Sequence, residues 1–231
     1  MRTGAAVIFK GTAGGHCLPS KTACGRFKDF FKREIMSEVL LGHSYYLRFD
    51  PTLWEAMQPY PPLGTLYAAS YLRSHGYDVA VFDAILADSE EEWESALERE
   101  HPRYAVLFED NFNYLSKMCL LRMRKAAFTM IDMANKKGTR VIVCGADATD
   151  HAAEYLKMGA DFVVIGEGEI TLRELLDHLT QRTPASLESI LGLAFKTNQR
   201  QENILVTPRR PDIGDLDSLP FPAWDLIDLS A

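Results

Sequence analysis

The 231-residue sequence contains no uninterrupted apolar run of roughly 18 residues, the length a bilayer demands. Its N-terminal stretch MRTGAAVIFKGTAGG is also too short in apolar residues for a secretory leader. No membrane span is expected, and the protein reads as cytoplasmic. Basic charge is in deficit: 25 Lys and Arg stand against 32 Asp and Glu, a formal charge of −7. No basic stripe offsets it, which excludes a nucleic-acid partner held by phosphate neutralisation. Cysteine is scarce and irregular. Cys17, Cys24, Cys119 and Cys144 share no close spacing, and a chain this long buries about 70% of its unfolded surface without disulfide staples. Their default role is that of small apolar side chains. A G-x-G-x-x-G fingerprint is missing, since Gly11, Gly14 and Gly15 do not fit it, and so is a P-loop. With 47% apolar and 25% charged residues, 15 Gly and 11 Pro, disorder, collagen-like repeats and coiled coil are excluded as well.

What is present is an alternation. Five segments rich in Val, Ile, Phe and Ala read as strands: Ala5 to Phe9, Asp78 to Phe82, Tyr104 to Phe108, Arg140 to Cys144 and Phe162 to Ile165. They are nearly continuous apolar runs, as strands covered on both faces are. Between them lie helical periods. Leu63, Leu66, Tyr67 and Tyr71 share one face; Met123, Ala127, Met130, Ile131 and Ala134 another; Leu172, Leu175, Leu176 and Leu179 a third. SEEEWESALER over 89–99 reads as an acidic exposed helix held by Trp93 and Leu97, and Gly76 and Gly138 stand where helices stop. The pattern predicts an α/β fold, a doubly wound Rossmann-like or flavodoxin-like sheet of five mainly parallel strands with helices on both faces. Residues 11–60 form a long first connection with a helix-like stretch FKDFFKREIMSEVL and the aromatics Tyr45, Tyr46, Phe49 and Trp54. After residue 185 come a β-hairpin, GLAFK and NILV around Thr197 to Glu202, and a Pro-rich tail that reads as a linker.

In an open parallel sheet the ligand crevice lies outside the carboxyl ends of the strands. The residues there are Gly11 and Thr12, then Asp83 and Ala84, then Glu109, Asp110 and Asn111, then Gly145, Ala146 and Asp147, and last Gly166, Glu167, Gly168 and Glu169. Glycines let a ligand approach the backbone, and the helix that follows offers free N–H groups. Each also has a plainer reading, as a strand-to-helix turn for the glycines or as a favourable charge at a helix start for Glu167 and Glu169. Asp110 lacks the acidic pair and the Lys that a phosphoacceptor of receiver type requires. His16, Cys17 and Cys24 lack a fourth ligand at zinc-like spacing, and Met118, Met123, Met130 and Met133 are explained by core filling.

Four stretches, in order, resemble the cobalamin-binding domain that precedes the catalytic barrel in cobalamin-dependent radical SAM enzymes. Pro61 to Arg73 (PPLGTLYAASYLR), followed by His75 to Val79 and Phe82 to Ala84, is similar to its opening. Cys144 to Thr149 (CGADAT) is similar to its Gly-Gly-Pro-His-Ala-Thr turn, Gly159 to Glu169 (GADFVVIGEGE) to its G-A-D-x-V-V-x-G-E-G-E signature, and Leu216 to Asp225 to its interdomain linker. Cys144 and Asp147 depart from the family at the second stretch, where it has Gly and often His. The resemblance implies a cobalamin-binding domain over 1–185, and over 186–231 a hairpin and linker toward a radical SAM barrel, in cis or in trans. It implies a corrinoid, as a methyl carrier, and with the strand-end rule above the expected contacts are Gly11, Thr12, Leu63, Gly64, Glu109, Asp110, Asn111, Phe112, Cys144, Gly145, Ala146, Asp147, Thr149, Gly166, Glu167, Gly168 and Glu169. The Asp-x-His-x-x-Gly motif that supplies a lower cobalt ligand in methionine synthase and mutase domains is missing. The cofactor is therefore expected base-off, with no axial His from the protein. Tyr45, Tyr46, Phe49, Trp54, Phe112 and Tyr114 are apolar walls for the corrin or equally core. No C-x-x-x-C-x-x-C triplet exists, so S-adenosylmethionine and a four-iron cluster belong to the barrel or a partner. Two other readings stay open: a degenerate interaction module without cofactor, and a nucleotide-dependent transferase using the same crevice. A bulky residue at Gly145 is expected to abolish ligand binding and spare the fold.

Overall fold

The computed structural model describes residues 37–57, 59–109, 120–198 and 201–228. The expected strand Ala5 to Phe9, Gly11, Thr12, Asp110, Asn111, Phe112, Tyr114, His16, Cys17, Cys24, Cys119 and Met118 lie outside the described residues. Among the described residues, five parallel strands are present: β1 (Val39–Gly42), β2 (Val79–Phe82), β3 (Tyr104–Phe108), β4 (Arg140–Cys144) and β5 (Phe162–Val164). β1 corrects the sequence reading, which assigned Val39 and Leu40 to a helix-like stretch. Four residues, VLLG, are too short to show any period beside the charged run before them. All four are buried because the strand lies between β2 and β3 with both faces covered.

The expected hairpin is β6 (Leu193–Asn198) and β7 (Gln201–Val206), and it extends the sheet instead of standing apart from it. β6 pairs antiparallel with β5, placing Phe162 opposite Phe195 with rings 6.2 Å apart, and β7 closes a seven-stranded order β2-β1-β3-β4-β5-β6-β7.

The helices are α1 (Pro51–Ala56), α2 (Leu63–Ser74), α3 (Glu91–Glu100), α4 (Leu120–Lys136), α5 (Ala146–Asp150), α6 (Ala152–Lys157) and α7 (Glu169–Leu179). Alternate strand residues feed two cores, as the two-residue side-chain period requires. Leu40, Ala105, Leu107, Val141, Val143 and Val163 face one layer, with Trp93 of α3, Ala127, Met130 and Ile131 of α4, and Tyr155 and Leu156 of α6. Val39, Leu41, Val106, Ile142, Cys144 and Val164 face the other, with Ala68, Ala69 and Leu72 of α2 and Leu172, Leu175 and Leu176 of α7. The faces expected for α4 and α7 are the buried ones. That of α2 differs: Thr65, Leu66, Ala68, Ala69 and Leu72 are buried, while Tyr67 and Tyr71 sit at the flank. Small side chains let this helix lie close on the sheet, and Tyr71 instead packs on His75 at 4.4 Å.

Trp93 anchors the acidic helix α3. It is fully buried and its indole N–H donates to Met130 O at 3.1 Å, so a polar tip inside the core finds its partner. At the short helix α1, Asp50 accepts from Leu53 N at 3.1 Å and Pro51 opens the first turn. Past β7 the chain returns along α2. Ala223 N donates to Leu66 O at 3.2 Å, and Asp225 pairs with Arg73 at 2.8 Å.

Candidate functional site

In the order β2-β1-β3-β4-β5 the chain reverses direction between β1 and β3, and a sheet of this kind opens its ligand crevice at that switch point. The residues just past the two strands are His43 and Ser44 after β1 and Glu109 after β3. They meet: Ser44 N–H donates to both carboxylate oxygens of Glu109 at 3.1 Å. On the far side of β1, Asp83 after β2 bonds His43 Nε2 at 2.9 Å and accepts from Ile85 N at 3.0 Å. Tyr45 N donates to His43 Nδ1 at 3.3 Å. Ala84 N donates to His43 Nε2 at 3.1 Å, so each ring nitrogen meets a backbone N–H, with Asp83 also at Nε2. Three neighbouring strands thus each place one titratable group at the crevice, in the row Asp83, His43, Glu109.

Burial pushes the Glu109 carboxyl above its ordinary range. The nearby His43 and the Ser44 bond work against that shift, and Asp147 adds to it. A single N–H serves both of its oxygens, which leaves most of its acceptor capacity unused among the described residues.

Gly145, after β4, lies directly against Glu109. Its φ of +141° is one that side-chain-bearing residues rarely adopt, and a Cβ there would stand 2.7 Å from Glu109 Cβ. A bulky residue at this position therefore strains the backbone and displaces Glu109, contrary to the expectation that the fold would be spared. Gly168 is required by a different neighbour: a Cβ would meet the Phe108 ring at 2.6 Å and Cys144 Cβ at 3.5 Å. Cys144 is buried and its thiol is pushed well up by that burial, so it stays a packing group. Gly166 N donates to Thr149 Oγ1 at 3.1 Å, tying the end of β5 to helix α5. Thr65 Oγ1 donates to Phe108 O at 2.8 Å, which holds the start of α2, with Leu63 and Gly64, beside the end of β3.

The structure therefore brings together Leu63, Gly64, Glu109, Cys144, Gly145, Thr149, Gly166 and Gly168 of the expected set. Ala146 is exposed at the start of α5. Two acids turn elsewhere. Asp147 accepts from Arg124 Nε and from Tyr155 Oη, both at 2.8 Å, bonds that hold its carboxyl below the usual range against the opposing effect of burial. Glu167 accepts from Ile213 N of the returning tail at 2.6 Å. Glu169, in the first turn of α7, is raised by burial and by the charge of Glu167. Among the walls, Tyr46 is core, bonded to Met130 Sδ. Tyr45 joins Leu47, Ile85 and Met123 in a smaller cluster at this end of the sheet, with Tyr60 stacked on it at 5.2 Å and Leu53 and Trp54 alongside. His43 and Ser44 were absent from the sequence-derived set because β1 was sought at residues 5–9. The apolar run VLLG followed by two polar residues was the available signal.

Residues 53–176, just over half of the chain, match the B12 binding domain family model. A curated relative, the "uncharacterized methyltransferase PH0819" of Pyrococcus horikoshii, is 28% identical over 179 residues, which cover 72% of this chain and 34% of the relative. Among solved structures, the cobalamin-dependent S-adenosylmethionine radical enzyme OxsB, with aqua-cobalamin and S-adenosylmethionine bound, superposes with a TM-score of 0.61 at 16% identity. The match spans 83% of this chain and 24% of that one. The radical S-adenosylmethionine methyltransferase TsrM of Kitasatospora setae superposes with a TM-score of 0.58 at 17% identity over 74% of this chain and 30% of that one. This chain thus spans about a third or less of the relatives it matches, and the two solved structures share its fold. From the family match and the strand order that supports it, the chain belongs to the B12-binding domain family.

Proposed function

We propose that this chain holds a cobalamin at the β1/β3 switch point, with no histidine of its own on cobalt, and presents it as a methyl carrier to a radical SAM catalytic domain in cis or in trans. The observation that carries the reading is the Glu109 carboxyl, buried at the switch point with, among the described residues, one shared donor and acceptor capacity to spare. The residues around it fit a large ligand with an apolar plate and a polar rim. Thr149 and Glu109 offer polar atoms, Gly145, Ala146, Gly166 and Gly168 a backbone surface, Leu63 and Gly64 a flank, and the Tyr45 cluster an apolar side. Gly11, Thr12, Asp110, Asn111 and Phe112 complete the proposed contacts by sequence position. Cys144, Asp147, Glu167 and Glu169 contribute by shaping and fixing the loops.

At the switch point, His43 is buried with both ring nitrogens engaged. When bound, a corrinoid supplies a cobalt–carbon bond able to carry a methyl group, and the protein supplies the shaped, water-poor pocket and its orientation. The test is a visible-absorption titration of the folded chain with hydroxocobalamin and methylcobalamin, followed by desalting. Retention of one equivalent of colour is expected. A folded chain that emerges colourless at micromolar concentration would overturn the reading.

A further inference from the structure

We infer that Glu109 is the residue by which the crevice selects its ligand: it takes a neutral hydrogen-bond donor, a carboxamide N–H or a hydroxyl, and turns away ligands that would seat a phosphate there. This rests on the proposed function and refines it. Doubly wound sheets that bind phosphates do so with unengaged backbone N–H groups near the strand ends. Here two such donors are taken. Ser44 N–H is occupied by Glu109 and Gly166 N–H by Thr149. Helix α7, which follows β5, carries Glu169 in its first turn, and Glu167 precedes it.

The titratable groups that act on Glu109 are His43 from the end of β1, held by Asp83, and Asp147 from the start of α5, to which Arg124 of α4 is committed. Among the described residues of these elements no Lys or Arg is bonded at the Ser44 and Glu109 junction, and the His43 ring is itself held by Asp83. An incoming phosphate would displace the donor that Glu109 has among the described residues and stand against its carboxyl group. A neutral donor instead satisfies an acceptor that now shares one N–H, and hydrogen bonds to charged groups are the stronger ones.

The test compares the natural chain with Glu109→Gln, which keeps the side-chain shape against Gly145. The ligands are hydroxocobalamin, dicyanocobinamide, which retains the carboxamides and lacks the nucleotide tail, and FMN as a phosphate-bearing probe. The substitution should weaken hydroxocobalamin about tenfold or more, and FMN, which the natural chain is expected not to bind, should gain measurable affinity. An equal loss with cobinamide assigns the donor to a corrin carboxamide. A loss confined to hydroxocobalamin assigns it to a ribose hydroxyl. Unchanged corrinoid affinities in the folded variant would overturn the inference and leave the proposed function standing. Tight FMN binding by the natural chain would overturn it too, with no variant needed. Failure of the natural chain to take up either corrinoid would overturn the proposed function and this inference with it.

Discussion

Replacing three glycines by alanine separates backbone strain from steric collision in this fold. At Gly138, φ is +75° and a Cβ would have no heavy atom within 4 Å. Gly138→Ala therefore incurs the left-handed penalty alone, about 1–2 kcal/mol. At Gly168 the backbone is ordinary, with φ −96°, and the cost is steric. Its Cβ would lie 2.6 and 2.9 Å from two carbons of the Phe108 ring, which is packed in the second core and has little room to swing. Overpacking of this kind costs about 1–3 kcal/mol. Gly145 combines both, a φ of +141° and a 2.7 Å approach to Glu109 Cβ, for a total of about 2–6 kcal/mol. Urea denaturation of the three variants should rank Gly145→Ala as most damaging and Gly138→Ala as least. Glu109→Gly in the Gly145→Ala background should recover the collision part, since the two residues touch and their effects do not add. A Gly145→Ala variant as stable as Gly138→Ala would refute the reasoning.

Trp93→Ala should cost about 3–5 kcal/mol by loss of a fully buried indole, measured by the same denaturation, and Trp93→Phe should cost less while leaving Met130 O without its donor. Acid stability should respond to Asp147. Its folded carboxyl titrates below the ordinary value of 3.8, so its contribution is complete above that value and is lost as pH falls through the folded one. Asp147→Asn should flatten the stability profile in that window and leave it elsewhere parallel; an unchanged acid limb would contradict the Arg124 and Tyr155 bonds. Asp83→Asn should destabilise the chain by about 1–3 kcal/mol, because His43 is buried and loses a charged partner, and a shift below about 0.5 kcal/mol would show that the pair does not hold the end of β1.

Much of the fold was legible because its signals are strong and local. The apolar runs of β3 and β4, the period of α4 over Met123 to Ala134, and the stop at Gly138 each reflect burial on a fixed geometry, and all are found where expected. β1 was not legible, since four residues give no period and its burial comes from two neighbouring strands. The crevice followed the same division. Gly145, Glu109 and Gly168 were marked by their places after strands, and the structure packs Gly145 against Glu109 and Gly168 against Phe108. His43 and Ser44 escaped because their place depends on β1. Asp147 stands after β4, where the strand-end rule marked it, and its side chain turns to Arg124 and Tyr155. Its pairing with Arg124, 23 residues away in sequence, is set by how α4 lies over α5, which no local pattern encodes.

The central claim is a cobalamin held at the switch point with no histidine of the chain on cobalt. Electron paramagnetic resonance of the chain loaded with cobalamin and reduced to the Co(II) state, once with natural histidine and once with ¹⁵N-labelled histidine, tests it directly. The account predicts a protein-bound Co(II) signal without nitrogen superhyperfine splitting, identical in the two samples. A nitrogen triplet that becomes a doublet on histidine labelling would contradict it.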